Sequence, residues 1–139
     1  MPTKCEDKCS VTDNRYLYEY SVVQYVPSVE RGETINIGLI MMCKSARWIK
    51  VSFHFDRSRL MSFCPTADIE GLKEQMIGFD RVATGNLREG GPIAGLEAHE
   101  RFRWLTAVRS ASLQTSRPHA GLTHDLEKTF KDLYASLVL

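Results

Sequence analysis

A charged turn between two strand-forming runs is the feature that most constrains how this chain can fold. From Tyr16 to Val26, aromatic and β-branched residues occupy alternate positions, which is typical of a strand with one buried face. Pro27 ends that run because proline has no N–H for a sheet ladder. The second run, Ile35 to Cys43, is apolar on most of both faces and indicates a strand in the middle of a sheet. Together the runs predict an antiparallel hairpin with a wide loop.

Strict alternation assigns the side chains of the second run to two faces. One face is predicted to carry Ile35, Ile37, Leu39, Met41 and Cys43, and the other Asn36, Gly38, Ile40 and Met42. Asn36 is the polar residue nearest the loop, and a buried amide needs hydrogen-bond partners. One interpretation is that Arg31 or a loop carbonyl binds Asn36 and holds the loop rigid. The alternative is a solvated loop tip in which Glu30, Arg31 and Glu33 form exposed ion pairs that stabilise little.

The middle of the chain predicts one more strand and two helices. Trp48 to Phe55 alternates again, so the first three strands form a meander with the Ile35 to Cys43 strand at its centre. A helix with Thr66 as N-cap follows, and a shorter helix runs from Glu97 to Val108. The glycine-rich segment 85–95 between them lacks the spacing of a phosphate-binding loop.

The C-terminal part predicts one further strand and a last helix. Residues 109–121 are polar and contain Pro118, which ends an extended segment. This favours a fourth strand or an extended edge. Thr123 is predicted to cap a helix that covers the sheet. The order is therefore β-β-β-α-α-β-α. It predicts an α+β fold with a three- to four-stranded antiparallel sheet and about three helices packed mainly on one face.

Composition narrows the class of protein. With 139 residues, 43% of them hydrophobic, the chain suits a single domain at 16–139 after a flexible polar leader at 1–15. A formal net charge of +1 offers no general basic excess for nucleic acid, so such a role would need a local patch. No apolar run suits a membrane span or a signal peptide, and a cytoplasmic protein is expected. Cys5 and Cys9 lack a second ligand pair for zinc, so neither metal nor cofactor is predicted. Cys43 is predicted to be a small buried apolar residue.

Three segments resemble a family of small bacterial proteins, domain of unknown function family 3037. They are YEYSVVQYVPSVERGETINIGLIM, ERFRWL with the following Arg109-Ser110, and HAGLTHD from His119 to Asp125. The resemblance spans almost the whole chain after residue 15 and leaves the leader outside it. It implies a stand-alone bacterial protein. Because genes for HipA-type kinases neighbour members of this family, it also implies a protein partner, with a HipA-like kinase as one candidate.

Two functions from different classes fit these residues. The first is a non-catalytic module that binds a partner protein, through an open sheet edge and through Arg103 and Trp104 on the second helix. The second is a small enzyme, or a domain that processes nucleic acid or a phosphate ligand, with His119 or Glu33 as general base. It requires that Arg31, Glu33, Arg101, Arg109, Gln114 and His119 converge in one pocket. Otherwise His119 is only a residue at the entry to the last helix. The second function predicts that the charged hairpin loop and His119 face the same side of the molecule.

Overall fold

In a computed structural model, the structure describes residues 15–27, 33–85, 92–107 and 112–139. Its strands are β1 (Tyr16–Tyr25), β2 (Ile35–Cys43), β3 (Trp48–Phe53), β4 (Leu113–Thr115) and β5 (His119–Thr123). Its α-helices are α1 (Arg57–Phe63), α2 (Ile69–Ala83), α3 (Ala98–Leu105) and α4 (Leu126–Leu137), with a 3-10 turn at Pro92–Gly95. The predicted α+β class is confirmed. The described residues contain one strand and one helix more than predicted, and none of these helices is long and apolar enough to cross a membrane.

The sheet is antiparallel, with β2 between β1 and β3 as the predicted meander requires. The other edge of β1 pairs with two short strands, β4 along its last residues and β5 along its first. Sequence predicted one strand here. Ser116 breaks it, because its hydroxyl accepts a hydrogen bond from Val22 N (2.9 Å) while its own N–H donates to Val22 O (2.9 Å). Pro118 follows and has no N–H to continue the ladder.

A β-bulge at Ile37 overturns the predicted alternation of β2. Val23 pairs with Gly38 and Gln24 with Asn36, so Ile37 has no partner on β1. The extra residue reverses the faces of everything before it. The α1–α3 face of the sheet therefore receives Ile35, Ile37, Ile40 and Met42. The opposite face carries Leu39, Met41 and Cys43, and Asn36 points to α4 on that side.

Helices cover both faces of the sheet. Leu60 of α1, six buried residues of α2 and two of α3 form the larger core with one face, so three of the four helices pack there as predicted. On the other face, α4 packs through Leu126 and Phe130 in a smaller core that includes fully buried Cys43. Burial on both sides explains why β2 is apolar on most of both faces.

Aspartates, not threonines, begin the helices. Asp68 accepts from Gly71 N (3.0 Å) at the start of α2, and Asp125 from Lys128 N (3.1 Å) at the start of α4. The predicted caps Thr66 and Thr123 are wrong; Thr123 lies in β5, where its hydroxyl binds Thr129 Oγ1 (2.6 Å). Helix α1, which was not predicted, starts at the N-cap Asp56. For both α2 and α4 the N-cap is an aspartate two residues later in the chain, whose carboxylate also interacts favourably with the helix dipole.

The two glycines Gly38 and Gly78 allow a matched test of the packing. A Cβ on Gly38 would lie 2.7 Å from Phe53 Cδ1 and 2.8 Å from the carbonyl oxygen of Ser52, whereas a Cβ on Gly78 would meet nothing within 4 Å. We expect Gly38→Ala to lower the free energy of unfolding by about 1–3 kcal/mol. We expect Gly78→Ala to raise it by up to about 1 kcal/mol, through helix propensity alone. Urea denaturation of both variants measures the difference, and an unchanged Gly38→Ala midpoint would contradict this packing.

Candidate functional site

Two predicted site residues, Asn36 and Gln114, lie in one row across the hairpin end of the sheet, where β1 ends and β2 begins. In register, Gln114 of β4 faces Gln24 of β1, and Gln24 faces Asn36. Gln24 Nε2 donates to Asn36 Oδ1 at 3.4 Å, and Asn36 Nδ2 donates to the carbonyl oxygen of Leu137 at 3.0 Å. Within the described residues, Asn36 therefore binds the last turn of α4, while the predicted partner Arg31 lies outside them. The guanidinium of Arg59 supports the same turn by donating to Val138 O (3.2 Å).

Glu33 is the charged residue of segment 28–34 that the structure describes, and it is exposed just before β2. Close by, Val26 N donates to Ser112 O at 2.7 Å, which joins the residue after β1 to the residue before β4. Arg31 and Arg109 lie outside the described residues. Their convergence with Glu33 remains a prediction.

His119 lies away from the hairpin end. It is the first residue of β5, not the approach to a helix, and its ring lies 5.3 Å from the ring of Tyr20, its partner in register. Tyr25, the partner of Ile35 in register, lies five positions after Tyr20 along β1. At about 3.4 Å per residue this is about 17 Å along the strand. The register thus separates His119 from Glu33, the other predicted general base.

The three predicted residues of α3 lie on the opposite side of the sheet from Asn36 and His119. Arg101 Nη1 donates to Leu96 O at 2.5 Å and so supports the helix start. Arg103 is exposed, and Trp104 is 43% exposed. The structure places these residues over the α1–α3 face, whereas Asn36, Gln114 and His119 face α4. They do not share one pocket among the described residues.

A cavity of about 670 Å³ opens at the other end of the sheet, which we call the turn end because the turn Lys44–Arg47 joins β2 to β3 there. Its lining is Leu17, Lys44, Ser45, Arg47, Glu97 and His99. The turn is closed by a hydrogen bond from Arg47 N to Lys44 O (3.2 Å). Arg47 has a φ of 51°, in the left-handed region that glycine adopts with less strain.

The cavity carries positive charge that the described part of the chain leaves uncompensated. Lys44 and Arg47 are exposed, and their side chains form no hydrogen bond or ion pair with any described residue. Among the described residues, Glu97 is the carboxylate of the lining, and it forms a capping box with Glu100 at the start of α3. No other described carboxylate lines the cavity beside Lys44 and Arg47.

An exposed pair of leucines adjoins the cavity. Leu17 of β1 and Leu122 of β5 are direct partners in register, and their side chains are 62% and 50% exposed. Leu17 is an even number of residues from Val23, whose side chain packs in the larger core, so Leu17 lies on the α1–α3 face of the sheet. Leu122, its partner in register, lies on the same face. We call the leucine pair together with Lys44 and Arg47 the turn-end corner. The sequence analysis did not predict this corner. The signal was Leu17, an apolar residue that shares one face of β1 with Glu19 and Ser21.

The groups with displaced pKa values lie outside the turn-end corner. Burial raises the pKa of Tyr134, and burial followed by the charge of Cys64 raises that of Tyr25. The ammonium of Lys50, 2.6 Å from Glu127 Oε1, holds the pKa of the Glu127 carboxyl below its ordinary value, and Trp48 Nε1 adds a hydrogen bond of 3.0 Å. These contacts attach β3 to α4. The described residues also contain no group of three or more His, Cys, Asp or Glu placed to hold a metal ion.

Fold and site together define an α+β protein with one antiparallel sheet between helices and an open, cationic and apolar corner. A family model described as protein of unknown function (DUF3037) matches residues 20–138. The chain belongs to that family, which confirms the resemblance seen in the sequence. No curated protein and no solved structure matched the chain.

The bond from Asn36 to α4 can be tested by two substitutions. Asn36→Ala removes the donor to Leu137 O, and we expect the free energy of unfolding to fall by about 1–3 kcal/mol because a carbonyl loses its partner. Asn36→Asp keeps the oxygen that Gln24 binds but cannot donate. Chemical denaturation should therefore find both variants destabilised; an Asp variant as stable as the wild type would mean that the bond to α4 contributes nothing.

Proposed function

We propose that residues 16–139 form a binding module that docks a partner protein on the turn-end corner. The observation that carries the proposal is the leucine pair: Leu17 and Leu122 stand side by side, half or more exposed, on a sheet face that helices cover elsewhere. Burying one leucine side chain contributes about 1.5–3 kcal/mol. Because Leu17 and Leu122 are already partly covered, burying the rest of both side chains contributes about 2–3 kcal/mol to docking.

The edges of the sheet support the same location. Within the described residues, β3, β4 and β5 each have one edge without a neighbouring strand, and β4 is only 3 residues long. Strand β3 carries Lys50, whose ammonium forms an ion pair with Glu127 of α4. Strand β5 has the sequence HAGLT, with no lysine, acidic residue or proline to discourage pairing. A partner seated on Leu122 could thus also extend the sheet beside β5.

The partner proposed is a bacterial protein in the cytoplasm, with the HipA-like kinase suggested by the family resemblance as the first candidate. Free thiols at Cys43 and Cys64 support a reducing compartment. Arg103 and Trp104 on α3 remain a second proposed contact, since the start of the same helix lines the cavity. The alternative function, catalysis or phosphate binding, keeps Glu33 as general base with Arg31 and Arg109 as ligands, and both arginines lie outside the described residues.

Site-specific photo-crosslinking in the native host tests the proposal. A photoreactive amino acid replaces Leu122 in one strain and Ile77 in another. Ile77 is the matched control because it is an aliphatic residue with 49% exposure, located on α2. We expect one partner protein to be captured from position 122 and not from position 77, and mass spectrometry identifies it. Purified HipA-like kinase from the same organism is assayed in parallel.

Binding of the captured protein is then measured with purified components. Leu17→Ser and Leu122→Ser should each weaken binding by about tenfold or more, because about 1.4 kcal/mol of lost burial corresponds to a factor of ten. Ile77→Ser should have no effect. Equal capture at positions 122 and 77, or affinity that neither leucine substitution lowers, would rule out the corner as the docking surface.

A further inference from the structure

Resting on that proposed function, we infer that the partner's docking segment carries carboxylates beside aliphatic side chains, and that Lys44 and Arg47 receive the carboxylates. The cavity and the leucine pair are one continuous surface, because Leu17 belongs to both. A segment that covers the leucines therefore reaches the cations as well.

The strand register sets the dimensions of this surface. Glu19 pairs with Met42 in the antiparallel register of β1 and β2. Two residues before Glu19 and two after Met42, Leu17 and Lys44 therefore lie opposite each other. Leu122 lies beside Leu17 on its other side. Neighbouring strands lie about 4.8 Å apart, which makes the row from Leu122 to Lys44 about 10 Å wide at the backbone. A short peptide segment spans that distance, with its aliphatic side chains over the leucines and its acidic ones at the turn.

The turn itself does not require the cations. At the left-handed φ of Arg47 a glycine would be less strained, and the turn hydrogen bond uses only backbone atoms. The guanidinium of Arg47 and the ammonium of Lys44 have no partner among the described residues, so a carboxylate can bind both without breaking an existing ion pair.

An acidic and aliphatic peptide fits this corner better than a polyanion does. Among the described residues, the lining has one lysine and one arginine, Lys44 and Arg47, together with the carboxylate of Glu97. Glu19 is on the same face of β1 as Leu17 and faces Ala120 of β5. Further phosphates of a nucleic acid would meet these carboxylates, whereas the leucines would remain uncovered. The partner chemistry is therefore a few carboxylates among aliphatic side chains.

Fluorescence anisotropy with defined probes tests the inference on the full chain. The probes are a labelled peptide of leucine, glutamate and serine, the same peptide with lysine in place of every glutamate, and an oligothymidylate. We expect the glutamate peptide to bind about tenfold more tightly than the lysine peptide, and this preference to fall as salt is added. Tighter binding of the oligothymidylate, or no preference between the peptides, overturns the inference.

Charge variants locate the bound carboxylates. Lys44→Glu and Arg47→Glu should each weaken the glutamate peptide about tenfold, and the double variant should prefer the lysine peptide. Lys131→Glu is the matched control, since it makes the same change of charge at an exposed position of α4. Arg47→Gly removes the guanidinium at a backbone conformation suited to glycine, so it should keep the fold and still lose affinity. Equal effects of Lys131→Glu and Lys44→Glu would overturn the assignment.

Failure of this inference is distinguishable from failure of the proposed function. If the crosslinked partner needs Leu17 and Leu122 but binds Lys44→Glu and Arg47→Glu as well as the wild type, the leucine surface stands and the acidic partner is overturned. If the glutamate peptide depends on the two cations but not on the leucines, the acid site stands and the leucine docking surface is overturned.

Discussion

The fold depends on burying β2 from both sides at once. A strand that is apolar on both faces must have a layer on each, and here α1, α2 and α3 supply one layer while α4 supplies the other. The bulge at Ile37 makes this arrangement workable at the hairpin end, because it turns Ile35 and Ile37 toward the larger core. It also turns Asn36 toward α4, where its amide satisfies the end of a helix.

The two ends of the sheet have accordingly different characters. At the hairpin end, polar side chains are used internally: Asn36 and Arg59 bind the last carbonyls of α4. At the turn end, Lys44 and Arg47 are without a partner among the described residues, and two leucines are open to solvent. Polar groups engaged with the protein's own backbone have a structural explanation, whereas unpaired charge beside exposed apolar surface is typical of an interface. This contrast is why the proposed function is located at the turn end.

Local patterns predicted the strands well and the long-range contacts poorly. The alternation in Tyr16–Val26 and in Trp48–Phe55 identified β1 and β3, and the polarity of Asn36 predicted an amide that needs a hydrogen-bond partner. Its partner Leu137 is 101 residues away, which no local pattern can indicate. The bulge could not be predicted, because an alternating pattern assumes that each residue of one strand pairs with one residue of the next. Helix α1 was missed because its seven residues bury only Leu60, too few to show a period. The leucine pair depends on the pairing of β1 with β5, and so emerges only from the tertiary structure.

The division of one β1 edge between β4 and β5 has a consequence for the motions of the molecule. With Ser116 and Pro118 interrupting the ladder, β5 is joined to the sheet by its own five register pairs and can separate without disturbing β4. Because a strand held along one edge opens at a lower free energy than a central strand, we expect the backbone amides of β5 to exchange before those of β2. A strand attached to the sheet by β1 alone thus carries half of the leucine pair.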